Sequence, residues 1–466
     1  MGRAARLFNG SAEQTLSERL TPSSEQREFL QEQWNGVIDL LKAEIFQRFG
    51  YEISTWIQGS YKFGTLIKPI HKGGEYDVDV GLYFESQDGS WERPLAGELR
   101  DLVQVTLKQC QNKIPNLRQI ETPPKNRCSR LSFDKKFHID LPIYWLERSA
   151  DSRRLAVLPN KWEDSDPKEI YLWFKSCTEN PERDQLRRLV RYLKGWVAVA
   201  FSKNLESRPS SIFITVLVAT CFSKLDLAAR ALDDEDALIS VIRYLYARLI
   251  TSRVVLNPVN TSEDLNRIPD RYWPNFLEIL ERLHNAVQKA EESENEMGAA
   301  LAWAEAFSFL MPLPALDEIE HSDDERSLVI LPNIEIEVFA RNPKRPWAKH
   351  QNEVPLAAKD CDLKFRIANP HVVPPLATVE WIVRNAGREA EAIGDLGHTR
   401  GGNDRCLEAF ESTAYIGKHY MDCIVRLGGQ IIALRRVPVT IGNYSVPLRN
   451  APNPLRRKPQ SLNMRR

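Results

Sequence analysis

Residues 58–79 read QGSYKFGTLIKPIHKGGEYDVD. An apolar run that ends at Ile57 comes just before this stretch, and it predicts a strand that turns into a loop at Gly59 and Ser60. A glycine at this point lets the backbone approach an anionic group without a side chain in the way. The Ser60 hydroxyl and the neighbouring amide groups then offer donors to phosphate oxygens. The stretch therefore predicts a phosphate-binding loop at the end of a strand.

The end of the same stretch predicts a pair of metal ligands. Sixteen residues separate Ser60 from Asp77, and Asp79 follows after one valine. In a strand, residues i and i+2 point to the same face, so both carboxylates face one way, about 7 Å apart along the backbone. This spacing suits two divalent cations about 3.5–4 Å apart, as used in phosphoryl and nucleotidyl transfer. Taken singly, a Gly-Ser pair is typical of a surface turn, and a D-x-D pattern is typical of a solvated strand edge.

Asp140 is the candidate third acid. It lies in the apolar segment FHIDLPIYW, residues 137–145. An aspartate in so apolar a strand is costly to bury without a partner, and a metal ion would remove that cost. His138 lies on the same strand face, where we expect it either to orient Asp140 or to be a packed or solvated histidine.

Four motifs together resemble those of a known family: Gln58-Gly59-Ser60, Gly64-Thr65, Asp77-Val78-Asp79 and His138-Ile139-Asp140-Leu141-Pro142. Over residues 25–315 the chain resembles the bacterial CD-NTases. These are cyclic-oligonucleotide synthases related to cyclic GMP-AMP synthase and oligoadenylate synthetase, within the polymerase-β-like nucleotidyltransferases. The long gap between Ser60 and Asp77 is similar to the gap between the two motifs in this branch.

The resemblance implies an α+β fold, a polymerase-β-like nucleotidyltransferase with a mixed sheet and a helical bundle, followed by a small all-β, sandwich-like domain. Short strand-like segments separated by Pro and Gly also indicate the second domain. Its residues 381–390 and 411–423 resemble the sensor domain that follows such transferases. The predicted order is a polar leader (1–20), the nucleotidyltransferase core (21–175), a helical nucleotide-binding domain (176–315), an acidic linker (316–333), the sensor-like β domain (334–446) and a basic tail (447–466).

The resemblance also assigns residues to the nucleotide. Lys194, in an L-K-x-W-like signature, is expected to reach the triphosphate, because a polyanion needs a point cation; a solvated helix face is the alternative. At the start of the next predicted helix, Ser211 or Ser210 resembles a serine that contacts the nucleotide, and helix capping is the alternative. The expected nucleotide-binding residues are Gln58, Gly59, Ser60, Thr65, Lys194 and Ser211.

Composition limits the remaining possibilities. The 466 residues have zero formal net charge, 42% hydrophobic and 27% charged residues, as is usual for a soluble protein of two or three domains. Such a balance does not call for a constitutive nucleic-acid partner. Seven cysteines without a CxxC pair indicate reduced thiols in a cytosol, and the family resemblance implies that this is the bacterial cytoplasm. The most apolar window, residues 211–223, is too short to span a bilayer, so we expect no membrane partner.

The sequence thus predicts an enzyme that makes a cyclic di- or trinucleotide second messenger from ATP and from GTP or other NTPs. Two Mg²⁺ ions, for which Mn²⁺ can substitute, are expected at Asp77, Asp79 and Asp140. By resemblance, the setting is bacterial anti-phage signalling of the CBASS type, with a separately encoded effector reached through the diffusible product. A regulatory protein partner or a phage-derived trigger is left open. The alternatives are a linear oligoadenylate or RNA-tailing transferase and a catalytically silent nucleotide- or RNA-binding sensor.

Overall fold

The structure is a computed structural model, and it describes residues 2–85, 93–134, 136–147, 152–179, 182–225, 233–314, 331–342 and 344–446. The chain divides into two units. The first comprises Met1–Asp323 and Glu391–Gly397, and the second comprises Asp324–Ala390 and His398–Arg466. The predicted basic tail and most of the predicted acidic linker lie outside the described residues.

The first unit combines a sheet with a set of helices. The helices are α1 (Ala5–Asn9), α2 (Leu16–Leu20), α3 (Ser24–Phe49), α4 (Gly59–Phe63), α5 (Ala96–Cys110), α6 (Pro167–Ser176), α7 (Glu182–Ala200), α8 (Ser211–Lys224), α9 (Asp234–Thr251), α10 (Trp273–Glu292) and α11 (Glu296–Phe307). The strands are β1 (Ile53–Ile57), β2 (Tyr76–Glu85), β3 (Leu117–Ile120), β4 (Ser129–Phe133), β5 (Phe137–Leu141), β6 (Ile143–Glu147), β7 (Ser152–Val157), β8 (Lys161–Asp164), β9 (Leu256–Asn257) and β10 (Asn260–Asp264).

β2 is the strand around which the large sheet is built. The strand order is β3-β4-β5-β2-β6-β7-β8, and β1 also pairs with β2. β2 runs parallel to β5, with Asp79 opposite Asp140, and parallel to β6, with Leu82 opposite Ile143. β4 pairs with β5 in the antiparallel sense. The predicted mixed sheet is therefore confirmed.

The predicted helix behind the sheet is α3, and its apolar residues recur at helical spacing. The cluster between α3 and the sheet includes Leu30, Val37, Leu41 and Ile45 of the helix with Val78, Val80 and Ile139 of the strands. Full burial of each such side chain contributes about 1.5–3 kcal/mol to folding. Because side chains alternate along a strand, burying the valines of β2 directs the aspartates between them to the opposite face.

The prediction of a polar leader over residues 1–20 is wrong. This segment folds as α1 and α2, and its buried residues include Leu7, Phe8, Leu16 and Leu20. Phe8 packs edge-on against Tyr192 and Trp303 of the helical part of the unit. The apolar residues are few and stand among polar neighbours, so their burial depends on packing against distant helices that local composition does not show.

A segment from far along the sequence also belongs to the first unit. Residues Glu391–Gly397 are grouped with it. A carboxylate oxygen of Glu391 lies 3.0 Å from the Lys68 ammonium, and the Arg19 guanidinium donates a hydrogen bond of 2.9 Å to the Leu396 carbonyl. Although this segment lies inside the predicted β domain, its contacts are with the catalytic part of the chain.

The second unit is built from β strands. They are β11 (Ile334–Arg341), β12 (Lys344–Gln351), β13 (Val354–Ala358), β14 (Cys361–Ile367), β15 (Thr378–Arg384), β16 (Gly397–Gly401), β17 (Glu408–Ser412), β18 (Gly417–Leu427) and β19 (Gln430–Gly442). The short helix α12 (Arg388–Ile393) lies between β15 and β16 in sequence, and its last three residues, like Gly397 of β16, belong to the segment grouped with the first unit. Two sheets form, β12-β11-β14-β17 and β13-β19-β18-β15-β16. Both contribute to one buried core, for example through Phe365 and Trp381. The prediction of a C-terminal β domain is confirmed.

The most apolar window of the sequence folds as α8, a helix of 14 residues. Most of its side chains are buried, among them Phe213, Val216 and Phe222. Over the part of the chain that the structure describes, no helix combines the length and the apolar character needed to cross a membrane.

Candidate active site

The three predicted acids lie together on one face of the large sheet. β2 supplies Asp77 and Asp79, and the pairing of β2 with β5 sets Asp79 beside Asp140 and Asp77 beside His138. Paired residues of neighbouring strands point to the same face of a sheet. The register therefore produces two rows of polar side chains, one through Asp79 and Asp140 and one through Asp77 and His138.

β4 extends the first row with Arg130, which is paired with Asp140. The guanidinium forms a two-pronged ion pair, with Nε 2.5 Å from Asp140 Oδ1 and Nη2 2.6 Å from Asp140 Oδ2. Arg130 Nη2 also lies 3.8 Å from Asp77 Oδ1. The sequence interpretation missed this residue. The short connection between β4 and β5 fixes which residue faces Asp140, so the hairpin register is the signal that could have found it.

His138 lies between two carboxylates. Its Nδ1 is 3.2 Å from Glu75 Oε2, and its Nε2 is 2.7 Å from Asp77 Oδ1. The ring thus contacts Asp77, whereas the sequence led us to expect an effect on Asp140. Asp77, His138 and Asp140 each offer one ligand atom within 4.8 Å of the others, so these residues form a group that could hold a metal ion.

Electrostatics distinguish Asp79 from its neighbours. Burial, reinforced by the negative charges of Asp77 and Asp140, holds the pKa of Asp79 well above its ordinary range. Burial also acts to raise the pKa of Asp77, but the hydrogen bond and charge of His138 and the charge of Arg130 bring it below its usual value. Carboxylates this close disfavour one another's charged forms. The acids therefore fit a divalent cation, which would offset the repulsion that falls on Asp79.

Gly59 brings the backbone close to one of these acids. Its φ is 58°, and a Cβ at this position would lie 2.0 Å from Asp79 Oδ2. Both facts require glycine. The preceding Gln58 is 6% exposed; its Nε2 donates to the Tyr83 hydroxyl at 2.9 Å, and its Oε1 accepts from the Tyr144 hydroxyl at 3.3 Å. Both ends of the Gln58 amide are thus bonded within the protein, where they support the loop.

Lys194 lies behind the same loop. Its ammonium donates to the Thr65 carbonyl at 3.1 Å and to the Thr65 hydroxyl at 3.2 Å. Thr65 is completely buried, and its carbonyl and hydroxyl hold the Lys194 ammonium in place. Burial lowers the pKa of Lys194 to about 7, although the charges of Asp77 and Asp79 act to raise it.

Two cavities reach the acids. The smaller, of about 480 Å³, is lined among others by Ser60, Asp77, Lys194, Ser210 and Ser211. The larger, of about 820 Å³, is lined among others by Gln58, Gly59, Asp79 and Asp140. Ser210 caps α8, because its hydroxyl accepts a hydrogen bond of 3.3 Å from the Phe213 amide, whereas the Ser211 side chain is exposed at the cavity. The capping alternative is therefore found at Ser210, and the nucleotide contact of Ser211 stays a prediction.

Family comparisons agree with this geometry. Residues 53–144, which include the predicted loop and all three acids, match the family described as cyclic GMP-AMP synthase DncV-like, nucleotidyltransferase domain. Residues 317–442 match the adenylyl/guanylyl and SMODS C-terminal sensor domain. Residues 53–144 thus carry a DncV-like nucleotidyltransferase domain, and residues 317–442 carry a C-terminal sensor domain of this type.

Individual relatives align with this chain over much of its length. A cyclic GMP-AMP synthase of Escherichia albertii is 27% identical over 411 residues, which cover 87% of this chain and 88% of the relative. A c-di-GMP synthase of Roseivirga ehrenbergii is 24% identical over 325 residues, 62% of this chain and 82% of the relative. The crystal structure of Vibrio cholerae DncV cyclic AMP-GMP synthase, a prokaryotic cGAS homolog, superposes with a TM-score of 0.55 at 19% identity, over 67% of this chain and 97% of that chain. That likeness shows the fold.

Replacing Gly59 by alanine should displace the carboxylate of Asp79. We expect the free energy of unfolding to fall by about 1–2 kcal/mol from the left-handed backbone conformation alone. We expect nucleotide turnover to fall by on the order of a hundredfold, because displacing reacting groups by about 1 Å costs that much. The matched control is Gly50→Ala, with φ 74° and no heavy atom within 4 Å of the added Cβ. Equal turnover in the two variants would show that the contact with Asp79 does not matter.

Lys194 should make stability depend on pH. Its pKa is about 7 in the folded protein, against an ordinary value of 10.5. Between these two values the unfolded chain binds a proton at Lys194 that the folded chain does not, so the free energy of unfolding should rise with pH across this window. Denaturant titrations of the wild type and of Lys194→Met at pH 7.5 and pH 9.5 measure the difference. From pH 7.5 to pH 9.5, the free energy of unfolding should rise more in the wild type than in Lys194→Met. An equal or smaller rise in the wild type would contradict a lysine that is buried in its neutral form.

Proposed function

We propose that this protein is a metal-dependent nucleotidyltransferase that joins ATP, and GTP or other NTPs, into a cyclic di- or trinucleotide. The observation that carries the proposal is the convergence of Asp77, Asp79 and Asp140 on one sheet face, between a cavity with Ser60 and Lys194 and a second, larger cavity. The relatives named as cyclic GMP-AMP synthase and c-di-GMP synthase support a cyclic product.

Asp77, Asp79 and Asp140 would hold two Mg²⁺ ions, with Mn²⁺ as a substitute. When bound, these ions supply Lewis acidity to the phosphate and lower the pKa of the attacking ribose hydroxyl. The crowding of the three carboxylates supports this assignment, since the pKa of Asp79 is raised by burial and by the charges of its two neighbours.

The triphosphate would lie in the smaller cavity. Ser60, Lys194 and Ser211 line this cavity, and their side chains would offer donors and one positive charge to the β- and γ-phosphates. A polyanion beside Lys194 would favour the charged form of this lysine. The nucleosides would occupy the larger cavity at Asp79 and Asp140. Attack from the larger cavity then lets pyrophosphate leave in line into the smaller one.

We further propose that the product is a diffusible second messenger of the bacterial cytoplasm, read by a separately encoded effector in CBASS-type anti-phage defence. In this setting, a regulatory protein partner or a phage-derived trigger would control when synthesis occurs. The match of residues 317–442 to a sensor domain supports such control.

Replacing both acids of β2 tests the proposal. The variant Asp77→Asn with Asp79→Asn should lose product by on the order of a thousandfold or more, because it removes the proposed ligands and their charge. The wild type and the variant are incubated with labelled ATP, GTP, CTP and UTP and with Mg²⁺ or Mn²⁺, and products that resist phosphatase are resolved by chromatography. Asp134→Asn, at an exposed position after β4, is the control and should retain activity.

The pattern of products separates the alternatives. A phosphatase-resistant product supports cyclic synthesis, whereas a phosphatase-sensitive chain favours a linear oligoadenylate or RNA-tailing transferase. Triphosphate binding without pyrophosphate release, with the proposed trigger present, favours a silent sensor. Undiminished turnover in the double variant would refute the assignment of the acids.

A further inference from the structure

Arg130 occupies the position among the acids where a cation is expected. Its Nε and Nη2 lie 2.5 and 2.6 Å from the two oxygens of Asp140, and its Nη2 lies 3.8 Å from Asp77 Oδ1. One positively charged group therefore reaches two of the three proposed metal ligands. Asp140 is largely buried, with its side chain 11% exposed, while the Arg130 side chain is 20% exposed.

We propose that Arg130 is an internal counter-ion of the metal site. It neutralises Asp140 in the metal-free protein, and it leaves this carboxylate when a metal ion binds. The proposal rests on the proposed function, because it takes Asp140 as a metal ligand. Arg130 is a positioning residue in this role, since it controls the state of Asp140 and does not touch the reacting atoms.

The distances indicate that the Arg130 guanidinium and a metal ion cannot both contact the Asp140 carboxylate. Ligand atoms of Asp77 and Asp140 lie within 4.8 Å of each other, and Mg²⁺ binds oxygen at about 2.0–2.1 Å. Asp77 and Asp140 would help to hold the ion, and both Asp140 oxygens are already at hydrogen-bond distance from nitrogens of Arg130. Like charges at such a separation repel strongly in a partly buried site. The ion therefore displaces the guanidinium, which is the more exposed partner of the pair.

The same pair explains how the acids coexist when no metal is bound. A buried carboxylate without a partner is strongly destabilising. Asp140 stands beside Asp79 in the sheet register, so without Arg130 the first row would carry two adjacent carboxylates and no opposing charge. Arg130 thus keeps the metal-free site folded, and metal affinity is reduced because each binding event must break the ion pair.

Metal titration without nucleotide tests the proposal. Mn²⁺ binding is followed by the electron paramagnetic resonance of the free ion, for the wild type and for Arg130→Gln. We expect the variant to bind Mn²⁺ about tenfold more tightly, because the ion no longer displaces a charge-assisted pair. If Arg130 instead supports Asp140 as an orienting partner, its loss should weaken metal binding by about 10–100-fold. Weaker or unchanged affinity overturns the proposal.

Two further arginine variants keep the test decisive. Arg127→Gln removes a nearby arginine that pairs with Glu163, and it should bind Mn²⁺ as the wild type does. Arg130→Lys keeps the charge but loses the two-pronged geometry, so its affinity should fall between those of the wild type and Arg130→Gln. If Arg130→Gln does not fold, the lysine variant carries the test, and an affinity no tighter than wild type overturns the proposal.

Asp140→Asn separates this proposal from the proposed function. If Asp140→Asn leaves Mn²⁺ binding intact, the metal site itself is wrongly assigned. If Asp140→Asn weakens binding but Arg130→Gln does not tighten it, only the counter-ion role fails. If Arg130→Gln binds Mn²⁺ more tightly, and the variant that combines Arg130→Gln with Asp140→Asn does not, the result supports both the metal site and the counter-ion role.

Discussion

The large sheet of the first unit holds the carboxylates of Asp77, Asp79 and Asp140 close together although their negative charges repel one another. The parallel register of β2 and β5 sets Asp79 beside Asp140, and adjacent strands are only about 4.8 Å apart. This arrangement is unfavourable without nearby positive charge. The chain supplies such charge through Arg130, whose guanidinium pairs with Asp140, and the His138 ring contacts Asp77.

Apolar burial on the opposite face of the sheet offsets the unfavourable energy of this arrangement. Val78 and Val80 alternate with the aspartates and are completely buried against α3. A register slip of one residue would turn the acids into this apolar cluster and the valines into the cavities, so burial on one face fixes the chemistry on the other. Closely spaced acids in a sheet depart from local preference, and such exceptions are expected at functional sites.

The acids were predictable because they depend on local rules. Alternation placed Asp77 and Asp79 on one face, and the apolar surroundings of Asp140 marked it as a residue that needs a partner. The confirmed fold class came from family resemblance. Contacts that depend on distant parts of the chain were not predictable in this way. Thr65 is buried under Lys194, Arg130 faces Asp140 only through the β4–β5 register, and α1 is buried only because distant helices pack on it.

The placement of residues Glu391–Gly397 in the first unit has a practical consequence. An isolated transferase domain that stops at the acidic linker would lack this segment. Its Lys68 would lose the carboxylate of Glu391, and its Lys136 ammonium would lose the Ile393 carbonyl to which it donates at 3.0 Å. Lys68 also lines the cavity that contains Ser60 and Lys194. Truncation at a boundary drawn from the linear sequence would therefore change the surroundings of this cavity as well as remove the C-terminal sensor domain.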